Sequence, residues 1–66
     1  MIKSGQIWKS TTGNGIRVIT LSDIKKGKVL CRVFADDHFL AEDHLKEKEL
    51  KESFSYIGLI SDVEVK

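Results

Sequence analysis

A chain of 66 residues with 41% hydrophobic and 32% charged side chains holds one small domain, residues 1–66, around a single core. The lone cysteine excludes an internal disulfide, and nowhere does an apolar run approach the roughly 20 residues that span a bilayer, so a reducing, cytoplasmic setting without membrane contact is expected. The formal net charge of +1 conceals a split: residues 1–34 carry seven bases against Asp23, and residues 35–66 carry nine acids against four lysines.

Gln6 to Lys9 reads as a first strand after Gly5, and Ser10 to Gly15 as a turn cluster supplying the positive φ angles of a tight loop. Ile16 to Leu21, rich in β-branched residues, is a second strand. The segment Ser22 to Lys28 breaks the pattern. In Val29 to Phe34, Val29, Cys31 and Val33 then alternate with Leu30, Arg32 and Phe34, which is strand period with one wholly apolar face.

Asp36-Asp37 forms the next turn, His38 to Ala41 a short fourth strand, and Asp43 a cap for a helical turn. Leu50 and Phe54 stand at i and i+4 between Glu47/Lys51 and Lys48/Glu52, the pattern of a short amphipathic helix. The apolar run from Phe54 to Ile60 returns as a closing strand, with Gly58 either a bulge or the helix terminator. The expected fold is mostly β: a small five-stranded barrel with a helical turn before its last strand, closed so as to hide its edges. The periods place Ile7, Val18, Val29, Cys31, Val33, Leu50, Phe54 and Ile57 in its core.

The opening Gly5-Gln6-Ile7-Trp8, the glycine-bearing turn, Ile16 to Ile19, the basic hairpin, Val29 to Phe34, and Leu45, Phe54 and Ile57 resemble the short SH3-like barrels encoded by bacteriophages and prophages. The resemblance implies that fold and a phage or mobile-element setting. It transfers no activity.

Chemistry is sparse. Asp36-Asp37-His38 and Glu42-Asp43-His44 form a near-repeat of carboxylate plus imidazole, and on a strand the two histidines share a face, but further ligands of clear spacing are missing, so no metal or other cofactor is expected. Cys31 lies on an apolar strand face, where a thiol is a small core residue rather than a nucleophile. Carboxylate pairs need a partly dry pocket for acid-base work, and so small a core leaves little room for one. No catalytic residues are assigned and the protein is read as a non-enzyme.

The leading expectation is a protein-binding module, a phage- or mobile-element-encoded regulator or inhibitor of a host protein. Its partner-binding residues are Trp8, Lys25, Lys26, Lys28 and Arg32 on the basic side, or Glu47, Glu49 and Glu52 on the acidic one. Trp8 is either a recognition hot spot or a core plug. The alternative is a nucleic-acid-binding domain using Lys9, Arg17, Lys25, Lys26, Lys28 and Arg32. A further alternative is self-assembly, as in a homodimer, with the basic half of one copy meeting the acidic half of another.

Overall fold

Residues 2–60 are described by a computed structural model of the chain. The β-branched and alternating stretches pair as strands β1 (Gln6–Ser10), β2 (Ile16–Thr20), β3 (Lys28–Ala35), β4 (His38–Lys46) and β5 (Phe54–Leu59). They make one antiparallel sheet in the order β4-β3-β2-β1-β5, and helix α1 (Glu47–Ser53) carries the chain from one edge strand to the other. The mostly β fold with a short helix before the last strand is the expected one. Among the described residues no ladder joins β4 to β5, so the sheet is open, with α1 packed against both edges. No helix among these residues is long and apolar enough to cross a membrane.

The turns follow local chemistry. At the β2–β3 connection Lys26 (φ 54°) and Gly27 (φ 76°) are both left-handed, as a two-residue type I′ turn requires, and Lys25 and Lys28 close it with paired backbone hydrogen bonds of 2.8 and 3.0 Å. The fourth strand is longer than expected, because the whole of β3 offers it partners: Phe39 faces Phe34, Glu42 faces Arg32, and Leu45 faces Val29. Asp43 therefore sits within β4 and accepts from the His44 amide at 2.8 Å instead of capping the helix. The Glu49 carboxylate reaches back to the Lys46 amide at 3.4 Å, and Lys51 pairs with Glu47 at 3.0 Å. Phe54, spaced as the i+4 partner of Leu50 and also as the start of the closing strand, begins β5 as that strand reading expected and packs against the core from there.

Register decides which side chains share the interior. Ile2, Val18, Val29, Cys31 and Leu50 are buried together, flanked by half-buried Trp8, Ile24, Val33, Leu45 and Phe54. Of the two other expected core residues, one is buried and one is not. Ile7 is buried but stands opposite Ile19, out of phase with Val18, and so belongs to the other face of the sheet. Ile57 is 51% exposed, because Trp8 faces Tyr56 while Ile7 faces Gly58, leaving Ile57 as the unpaired residue of a bulge.

Ile2 enters the core because its segment is tied down. The Thr20 hydroxyl donates to the Lys3 carbonyl and accepts from the Gln6 amide at 2.9 Å, and the Ser4 amide donates to Asp23 Oδ1 at 2.9 Å. This explains Thr20 as the buried polar residue of the core region: its hydrogen-bonding capacity is used.

Candidate interaction face

Antiparallel partners share a face, so the outer face of the sheet can be read from the pairings. Ile7 faces Ile19, Lys9 faces Arg17, Arg17 faces Phe34, and Ile19 faces Arg32. On the next strand Phe39 and Glu42 continue the face from Phe34 and Arg32. The result is an apolar strip with arginines set into it.

Ile7, Ile19, Phe34 and Ile60 form the apolar lining of a groove of about 270 Å³, with Arg17, Asp36 and Asp37 at its polar side. An adjoining hollow of about 420 Å³ shares Arg17 and Asp36 and is completed by Lys9, Gly13, Gly15 and Ile57. The β3–β4 tip forms the boundary: the Asp36 amide donates to the Gly15 carbonyl at 2.9 Å. At Gly15 (φ 79°) a Cβ would lie 2.9 Å from Asp36 Oδ1, so glycine serves both the backbone turn and the close approach.

The two arginines are held differently. Arg17 Nη2 donates to the Asp36 carbonyl at 3.1 Å and to Asp37 Oδ1 at 3.5 Å, and Asp37 is 98% exposed. Arg32 places Nε and Nη2 on the Glu42 Oε2 oxygen at 3.1 and 3.0 Å, with its guanidinium carbon 6.0 Å from the Phe39 ring centre. Phe34 meets Phe39 edge to face at 5.9 Å. Phe39, 56% exposed, presents the largest open apolar surface of this cluster, beside Leu40, the extra residue of a bulge in β4.

The residues singled out from sequence distribute unevenly over this geometry. Lys9, Arg17, Lys28 and Arg32 share the outer face, whereas Lys25 and Lys26 occupy the β2–β3 tip. Trp8 faces Val18 on the inner side, half-buried, with its ring edge-on to Tyr56 at 5.6 Å and its Nε1 donating to Gln6 Oε1 at 3.3 Å. Glu47 and Glu49 are engaged within α1 and at its start, and Glu52 is exposed on its surface. His38 faces Ala35 and His44 faces Leu30, opposite sides of β3, because the β4 bulge reverses the alternation that would have put them together. Among the described residues no cluster of three His, Cys, Asp or Glu side chains is arranged to hold a metal ion.

No family model matches the chain, and neither does any curated protein or solved structure.

The Ile7, Ile19, Phe34 and Phe39 strip was not assigned from sequence to any site. A signal existed in β3, where Arg32 and Phe34 alternate with the core residues, but their partners on β1, β2 and β4 follow from the pairings alone. Cys31 is fully enclosed and burial pushes its thiol up to about 11, which keeps it protonated at neutral pH and unsuited to nucleophilic work.

Proposed function

We propose that this chain is a non-enzymatic protein-binding module that docks through the outer face of its sheet. The observation that carries the reading is the exposed combination of Phe39 with Arg17 and Arg32 around the groove of Ile7, Ile19 and Phe34. Aromatic and arginine side chains around a small apolar depression are the composition of interface hot spots. The strand order, with α1 between β4 and β5, supports an SH3-like arrangement. A role as a phage or mobile-element regulator of a host protein rests on the sequence resemblance.

The site differs from the one suggested by charge alone. Basic β3 lies beside acidic β4, and Arg32 is paired with Glu42, so the opposite charges of the two halves meet at this hairpin rather than forming two separate fields there. Docking is thus assigned to apolar and arginine contacts.

Capture of a partner from cells, with Phe39→Ser and Arg17→Gln as comparison variants, tests this reading. Both side chains are substantially exposed, so the variants should melt like the wild type while losing the partner. Retention of the partner by both would remove the outer face from consideration.

One observation favours nucleic acid as a second reading: Lys9, Arg17, Lys28 and Arg32 share a face with Phe34 and Phe39, a mixture suited to phosphates and stacked bases. Asp36, Asp37 and Glu42 beside them weigh against it, since they would repel a polyanion. A salt series separates the two readings, because phosphate binding weakens steeply and linearly in log salt.

A further inference from the structure

We infer that the groove takes an extended peptide segment in which a carboxylate is flanked by apolar side chains, the carboxylate pairing with Arg17 and the apolar groups resting on Ile7, Ile19 and Phe34. This rests on the reading of the outer face as a protein-binding surface and specifies what that surface selects.

The shape argues for a strand of peptide. The groove of about 270 Å³ continues past Arg17 into the hollow of about 420 Å³ bounded by Gly13, Gly15 and Ile57, which gives it length. An extended chain follows such a path, placing alternate side chains toward the floor.

The charge argues for a carboxylate. Arg17 uses only Nη2 within the chain, and because both two-donor edges of a guanidinium include Nη2, displacing Asp37 from it opens one edge of the fork. A carboxylate can accept two parallel hydrogen bonds from such an edge. The side chain already nearest, Asp37, is a weak competitor: at 3.5 Å and 98% exposed it forms a long surface pair of little energetic value. It occupies the position of a ligand carboxylate and is readily displaced.

The surrounding acids select against a phosphate chain. Asp36 and Asp37 flank Arg17, and Glu42 occupies Arg32, leaving a site for an isolated negative charge beside apolar groups. A polyphosphate backbone would bring further charges against those three carboxylates.

The test is selection from a displayed random peptide library on the wild-type protein and on Arg17→Gln, followed by measurement of the selected peptides and their Asp-to-Asn or Glu-to-Gln versions. Wild-type selection should enrich Asp or Glu next to aliphatic or aromatic residues. Neutralising that acid should weaken binding about tenfold or more, the loss expected on removing a charge-assisted pair. Arg17→Gln should select without acidic enrichment, and Asp37→Asn should bind the wild-type peptides more tightly. Amide shifts of Ile7, Arg17, Ile19 and Phe34 should locate the peptide.

Peptides that bind this face without acidic enrichment would overturn the carboxylate rule while leaving the protein-binding reading intact. Failure to select any peptide, or shifts confined to another face, would also overturn the inference, with partner capture then deciding the broader reading separately. Oligothymidylate that shifts the same amides and competes with the selected peptides at physiological salt would overturn both in favour of nucleic acid.

Discussion

The Gly27 carbonyl accepts a hydrogen bond of 2.8 Å from the amide of Glu47. This contact brings the tip of the most basic turn against the first residue of the acidic helix. Lys28 and Lys46 are register partners beside it, so the junction is stabilised by backbone pairing rather than by attraction between the two charged segments. The turn itself stores a small strain, since Lys26 has φ 54° without being glycine.

Lys26→Asn should therefore stabilise the domain by about 0.5–1 kcal/mol, because Asn followed by Gly is the preferred pair of a type I′ turn. Chemical denaturation of the two proteins gives the difference directly. An unchanged or lower midpoint would show that the Lys26 conformation carries no cost.

Leu50→Ala and Ile2→Ala should each cost about 2–5 kcal/mol, since both side chains are fully buried in the same cluster. That loss is comparable with much of the stability of so small a domain. The Ile2 variant is the sharper measurement, because it tests whether the segment before β1 belongs to the cooperative core. Melting within a degree or two of wild type would exclude it.

Ile57→Ser should change stability by no more than about 0.5 kcal/mol, the range of ordinary surface substitutions, despite the strand-like apolar sequence around it. The residue is half-exposed in a bulge and has no strand partner. A loss as large as that of Leu50→Ala would place it in the interior and contradict the β1–β5 register.

Gly15→Ala should cost about 1–2 kcal/mol, the penalty of a left-handed backbone for a residue with a Cβ, with a further contribution from the approach to Asp36 Oδ1. The Asp36 side chain can swing away, so the second contribution is the smaller. Combining Gly15→Ala with Asp36→Ala should recover it and leave the backbone penalty. Full recovery would show that crowding alone made glycine necessary.

Burial of Cys31 gives stability a defined alkaline dependence. The thiol titrates near 9.0 when unperturbed and is pushed up to about 11 in the folded protein, so between these values the unfolded chain releases a proton that the folded chain retains. Stability from this group is intact below about pH 9 and falls as pH rises toward 11. Cys31→Ala should remove that part of the decline in a pH series of urea midpoints, and a thiol reagent at pH 7 should react with the native protein only as fast as it opens. Immediate reaction without unfolding would refute the enclosure.

Much of the fold was determined by the sequence itself. Local periods specify β2, β3 and the helix around Leu50, since alternation and i, i+4 spacing depend only on neighbours along the chain. The turn at Lys26-Gly27 is likewise a local matter. What tertiary structure alone decided was which face each strand presents. One residue of register reverses every side chain of a strand, and two bulges do so here: the one in β4 separates His38 from His44, and the one in β5 leaves Ile57 outside. The outer groove arises in the same way, because Ile7, Arg17 and Phe34 belong to three strands and become neighbours only through pairing across the sheet.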